Sequence, residues 1–557
     1  GTPLPVGLPE ALLGPAPDSL ANLALRFART HAPFEAGALA ARFGLPRRRV
    51  EQELHRLTAT GRLVEGEFRP GGRHREWCDP GVLTNIRRRS LAKLRREVEP
   101  VEPHVLGRFL TTWHGIVRPR AGLDALLDAV EHLQGAPLAA SILETDILPA
   151  RVEGYRPADL DTLIAAGEVV WVGVEPVGDR DGRLSLYLAD ALPALRPAPP
   201  ADPDLPEREA GVLVGVARGG AASCDALRVA AGGGFPGDTV DALWSLVWRG
   251  LVTNDSLHAL RAITRPAARQ RRGRVAGQPF RSRRTAPPAG QGRWSLVATT
   301  PHVGGAAAEE TRRRTAWSAA LAQQLLTRHG IVTREVAAAE GVPGGFSAVY
   351  DVYRAMEDRG RLRRGYFTSG VAAVQFALPA ALDLLRSLRE VPEAPEVVLL
   401  AATDPANAYG GVLKWPAPDS PLPGSSRGPT RSVGASVVLV DGRLAAYVGR
   451  GGRPFLSFLP EHEPDRSRVA HAVAGRLAAH ASTEAGRDTG LLVAEINGGP
   501  ATSHPLAPAL EQAGFVPSLA GYHVPRPLAA RAPRATETPR TGGRGAVSSP
   551  FGVFRTR

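Results

Sequence analysis

"DRGRLRRGYF", residues 358–367, has an earlier counterpart in "TATGRLVEGEF", residues 58–68. In both, a glycine ends a helical pattern and a leucine follows two positions on: Gly360 with Leu362, Gly61 with Leu63. Glycine permits the positive φ of a helix C-cap, and the leucine pins the next strand to the core. The flanking pattern agrees. Before Gly61, "LANLALRFARTH" puts Leu20, Leu23 and Phe27 on one helical face. "AGALAARFG" is a short second helix, and Pro46 opens a third, with Val50, Leu54 and Leu57 as its buried stripe. "RLVEGEF" and "HREWC" follow as strands. Before Gly360, Trp317, Leu321 and Leu325 share a face, and Val349, Tyr353 and Met356 are spaced like Val50, Leu54 and Leu57. The three stripe pairs, the glycines and the leucines all share one sequence offset. Three helices and a hairpin are the winged-helix arrangement.

Two weaker copies lie between, with Gly167 and Gly250 as their stops. The spacing of the stops is uneven, which predicts an array of separate domains rather than a solenoid. The expected fold is mainly α with β wings: tandem winged helices followed by an α+β, β-barrel-like module. The expected boundaries are winged helices at 15–82, 121–195, 205–261 and 293–390. A basic helical connector occupies 83–120 and the module 396–525, where Asp441-Gly442 is the turn of a hairpin. Residues 262–292 and 526–557, rich in Arg, Pro and Gly, read as a basic disordered linker and tail.

With 557 residues the chain is too long for one core, and 43% hydrophobic residues are enough to build several. No run of about 18 apolar residues predicts a membrane span. No signal peptide is visible, and the sequence, which lacks an initiator Met, reads as a fragment of a longer protein. Two cysteines, Cys78 and Cys224, make no zinc motif and suit a reducing cytoplasm, so no metal is expected. The net charge of +13 favours an anionic partner, nucleic acid above all, and a nucleoid-associated location. Lysine occurs only at Lys93 and Lys414, neither in a GK[ST] context. A P-loop ATPase is therefore excluded from this stretch, and no cofactor is expected.

The candidate DNA contacts are arginines. Arg47, Arg48 and Arg49 open the first unit's recognition helix, Arg361, Arg363 and Arg364 start the last wing, and Arg312, Arg313 and Arg314 precede its first helix. Trp77, Trp113, Tyr366 and Phe367 are aromatics available for stacking on single strands. Asp404, in "ATDPANAYGG", ends an apolar strand beside Asn407 and Tyr409; it either activates water or caps its own turn. Gln375 is polar inside an apolar strand, either a structural bracket or a ligand contact.

"REWCDPGVL", "RRRSLAKLRREVEPVEP", "LQGAP", "LPARVEGY", "GYFTSGVAAVQFALP", "ATDPANAYGG", "LKWP" and "DGRLAAYVGRGGR" together resemble the C-terminal region of Lhr, the bacterial large helicase-related family, over residues 15–525. The resemblance implies a superfamily 2 DNA helicase whose motor lies upstream of a string of winged helices. It also implies a likeness to AlkZ-type DNA glycosylases, assembly into homo-oligomers such as tetramers, and uracil excision. The family's glycosylase motif is not assignable here: Gln375 stands alone. Three functions follow as expectations. The first is a DNA-binding and oligomerisation region without its motor. The second is a monofunctional glycosylase for uracil or alkylated bases, with Asp404 and Gln375 as its catalytic candidates. The third is a winged-helix scaffold for protein contacts.

Overall fold

The computed structural model describes residues 18–31, 33–69, 74–97, 99–196, 204–264, 287–297, 307–419, 428–483 and 491–525, with 7, 9 and 14. The first unit is α1 (Ser19–Thr30), α2 (Ala36–Phe43), α3 (Arg47–Ala59) and a hairpin of β1 (Val64–Gly66) and β2 (Glu76–Cys78). Val50, Leu54 and Leu57 of α3 are buried as their spacing predicts. The expected face of α1 is rotated. Ala21, Ala24, Leu25 and Ala28 are buried and Leu23 is exposed, because small side chains let α3 approach closely. In the fourth unit the first helix, Ala307–His329, likewise buries Ala322, Leu325 and Leu326. Trp317 points to another unit, its indole N–H donating to the Leu195 carbonyl at 3.1 Å.

The stop glycines behave as read. Gly61, Gly167, Gly250 and Gly360 have φ of 70°, 80°, 71° and 73°. The constant offset runs on through the wings. Gly66 faces Glu76 in the first hairpin, and Gly365 faces Gln375 between Arg363–Gly365 and Gln375–Ala377 in the fourth.

The middle units depart from the expectation of separate domains. The second has helices Leu123–Leu133, Ala140–Ile142 and Pro157–Ala165 and a long wing, Val169–Pro176 with Gly182–Leu188. Its short helix runs into a π-helical turn, Leu143–Ile147. The third has helices Glu207–Gly219, Cys224–Ala230 and Pro236–Trp248. One apolar core serves both. Trp171 of the second stacks on Trp244 of the third at 6.2 Å, and Trp294 meets Trp244 edge-on at 5.7 Å. The strand Arg293–Leu296, read as the start of the fourth unit, is instead the middle strand of the third unit's sheet, between Ala222–Ser223 and Val252–Asn254. Its partners lie far back in the chain, beyond local pattern. Of the expected linker, residues 265–286 lie outside the described residues, as does the whole 526–557 tail.

The connector is two helices, α4 (Pro80–Glu97) and α5 (Pro103–Trp113). α5 is buried among the fourth unit and the C-terminal module. A Cβ on Gly107 would lie 2.3 Å from the Gly442 carbonyl oxygen, so the helix and the hairpin turn touch backbone to backbone. The module is an open antiparallel sheet, Val397–Ala401, Ser436–Val440, Arg443–Val448 and Phe455–Ser457, covered on one face by α5 and on the other by helix Asp465–Ser482. Asp441 and Gly442 both have positive φ, as the predicted hairpin turn requires. The expected barrel-like form is absent: among the described residues no sheet closes on itself. No described helix is long and apolar enough to cross a membrane.

Candidate nucleic-acid interface

The two repeated wings are held by the same device. Gln375 is buried, and its Oε1 accepts the backbone N–H groups of Phe367 and Thr368, each at 3.1 Å; its Nε2 donates to the Thr368 carbonyl at 3.0 Å. Glu76 does the same in the first wing, accepting from Phe68 and Arg69 N–H at 3.0 and 3.1 Å. The Cβ position of Gly365 is filled by the Phe367 ring at 2.9 Å, and that of Gly66 by the Phe68 ring at 3.1 Å. Buried Glu76 carries a charge and has Arg69 at 2.9 Å to balance it; Gln375 carries none. Gln375 is thus the bracket of its two readings, holding the loop rather than a ligand.

The arginines fall into three groups. Arg47, Arg48 and Arg49 are exposed in the first turn of α3, with Arg47 paired to Glu51 at 2.8 Å. Arg361 and Arg363 are exposed on the fourth wing. Arg364 is half-buried, 3.7 Å from Glu357 and over the Phe376 ring at 5.9 Å. Arg312, Arg313 and Arg314 lie inside the first helix of the fourth unit rather than ahead of it, because that helix begins at Ala307. Sequence reasoning passed over Arg87, Arg88 and Arg89 as contacts. All three are exposed on α4, which continues from the first wing and packs against the strand Arg363–Gly365. Of the aromatics, Trp77 and Phe367 are buried and Trp113 donates its indole N–H to the Thr327 carbonyl at 2.8 Å; Tyr366 is 54% exposed.

Asp404 lies elsewhere and does something else. It is fully buried, where the second unit meets the module. Arg151 donates to both its oxygens at 2.7 and 2.8 Å, and Ala406 N–H donates to Oδ1 at 2.7 Å. Both oxygens are occupied: the Ala406 N–H bond is the turn cap of its two readings, and the Arg151 pair adds a tie between the second unit and the module. Arg151 also donates to His114 Nδ1 at 3.2 Å, and His114 Nε2 has no partner among the described residues. His132 and His329 stand 6.1 and 6.5 Å from the His114 ring. Arg328 donates to Glu340 and to the carbonyls of His132 and Gln134, which joins the fourth unit to the second. Burial pushes the Glu340 carboxyl up, but Arg328 and His329 outweigh it and hold it at about 2. The cavity here is about 60 Å³, lined by His329, Glu340, Thr403, Asn407 and Arg431 among others. That is well short of the about 150 Å³ cavity that takes up benzene. Asn407 and Arg431 spend their donors on nearby carbonyls.

Fold and surface together define a multi-winged-helix protein with arginines on one recognition helix, one connector helix and one wing. Residues 101–189 and 311–397 each match the winged-helix domain of the large helicase-related protein. The chain is 40% identical over 516 residues to a "Lhr helicase/probable uracil glycosylase" of Mycolicibacterium smegmatis, covering 89% of this chain and 33% of the relative. It is 33% identical over 564 residues to a "Lhr helicase/uracil glycosylase" of Escherichia coli, covering 94% of this chain and 34% of the relative. Two stretches of the chain are thus Lhr-type winged-helix domains, and the chain, consistent with a C-terminal Lhr region, spans about a third of the length of these relatives.

Replacing one partner of a buried ion pair strands the other. Asp404→Asn is expected to lower stability by about 3–5 kcal/mol, and adding Arg151→Met to recover much of it. Urea unfolding of the single and double variants checks this; equal losses that simply add would refute the coupling. Acid acts on the same junction. Burial, then Arg151, His329 and His132, hold His114 well below the usual 6.5, so its contribution is complete above that value and is lost as pH falls through it. The melting temperature is expected to drop between about pH 7 and about pH 5, a range in which Glu340 stays ionised. A flat profile would contradict it.

Proposed function

We propose that this chain is the DNA-gripping region of an Lhr-type helicase, joined to a motor carried elsewhere in such proteins and assembling with further copies of itself. The observation that carries this reading is the course of α4. It leaves the first wing and packs against the fourth wing's strand, so the exposed Arg87, Arg88 and Arg89 stand on the element that links the unit carrying Arg47–Arg49 to the unit carrying Arg361 and Arg363. Guanidinium groups so displayed neutralise phosphates and release counterions. The third helices of the second and third units carry Asp159 and Asp238 in their first turns instead, Asp159 paired to Arg156 at 2.8 Å, and so offer phosphate no run of arginines like Arg47–Arg49. They support packing, and the shared core beneath them agrees. Arg47→Ala with Arg48→Ala is expected to weaken binding to all DNA sequences alike and to flatten the dependence of affinity on salt by about two phosphates' worth. Fluorescence anisotropy over a salt series measures it. Salt-insensitive or undetectable binding by the parent chain would sink the reading.

A second reading, uracil excision, draws on the names of both relatives and on one carboxylate. Asp146 sits on the π-helical turn, a geometry frequent at functional sites. It is half-buried, accepts a hydrogen bond from the Thr145 hydroxyl at 2.8 Å, and no arginine pairs with it among the described residues. Burial pushes its carboxyl up, against the Thr145 hydrogen bond, and the Asp404 charge adds to the rise. Such a group suits a general base: water attacks the sugar carbon, the base leaves with the bonding pair, and the carboxylate takes the water's proton. Asp146→Asn is expected to abolish alkali-sensitive cleavage of uracil-containing DNA while leaving DNA affinity intact. No product from the parent chain above a no-protein control would dismiss this second reading and leave the first standing.

A further inference from the structure

Tyr366 is the large aromatic that the fourth wing turns outward, and it does so from a fixed backbone. The strand before it pairs with Gln375–Ala377. The N–H groups after it, on Phe367 and Thr368, are held by Gln375. On the far side the Phe367 carbonyl accepts from Val101 N–H at 2.8 Å, and Ser369 N–H donates to the Val101 carbonyl at 2.9 Å. Phe367 fills the space over Gly365, so successive side chains must alternate and Tyr366 faces solvent, 54% exposed. Nothing in this frame requires an aromatic there. The first wing, built on the same bracket, has Glu67 at the matching position, with Val64 and Glu65 where the fourth has Arg363 and Arg364.

An exposed tyrosine on a rigid loop offers a flat π-face at little cost in conformational entropy. Flanked by cations that track phosphates, that face is the arrangement by which proteins hold unpaired bases, whose faces a duplex hides. We infer that Tyr366 is a base-stacking platform for an unpaired DNA strand, with Arg361 and Arg363 holding the adjoining phosphates. This rests on the DNA-gripping reading and names the form of DNA that the fourth wing prefers. Gln375 then has a functional consequence through the loop that it positions.

The test compares three probes by anisotropy: a fluorescein-labelled oligothymidylate, an abasic strand of the same length, and a blunt duplex. Tyr366→Ala is expected to weaken oligothymidylate binding by about 5- to 150-fold, the worth of one stacked base. Abasic and duplex affinities stay unchanged, and so does the salt slope on oligothymidylate, because no charge is removed. Tyr366→Trp restores binding. An unchanged oligothymidylate affinity, or an equal loss on all three probes, would overturn the stacking role. If Arg47→Ala with Arg48→Ala still lowers affinity, that failure belongs to the stacking alone. If the parent chain binds none of the probes, the broader reading fails with it. Unchanged melting of the exposed Tyr366→Ala variant separates either result from misfolding.

Discussion

A guanidinium and a carboxylate sealed from water, Arg151 with Asp404, fix how the winged helices sit relative to the C-terminal sheet. The pair joins segments far apart in sequence, and its desolvation is tolerable only because every Asp404 oxygen has a donor. Arg328, paired with Glu340 inside the fourth unit, reaches the second through the His132 and Gln134 carbonyls. The same economy explains where chemistry is absent. Asp404, Glu340, Asn407 and Arg431 are occupied by their neighbours at this junction, whereas Arg47–Arg49, Arg87–Arg89, Arg361 and Arg363 are exposed.

How much of this was legible follows the range of each interaction. The α3 stripe, the stop glycines and the Asp441-Gly442 turn are local, and the sequence carries them openly. The role of Gln375 was legible too, though only by comparison. Carrying the repeat offset past Leu362 sets Gln375 opposite Glu76, and two acceptors at one post point to a backbone rather than to a ligand. The turn cap of Asp404 was legible, but nothing in "ATDPANAYGG" reveals that Arg151 waits across the junction. The strand Arg293–Leu296 failed for the same reason, its partners being two strands that precede the linker. The α1 face was misread because alanine weighs little in an apolar pattern, yet here close approach selects it.

The twin wings show how one frame takes two surfaces. Glycine, strand, bracket and return strand keep the same spacing in both. Only outward positions differ: acidic and aliphatic in the first, basic and aromatic in the fourth.

The common core beneath the second and third units has a consequence for descent. A winged helix is ordinarily a portable module, copied and moved as a piece. Here Trp171, Trp244 and Trp294 lean on each other across the border, so a recombination event that carried away either half would leave broad indole faces bare to water. The second and third therefore stand or fall as one packing unit, whereas the first has a core of its own.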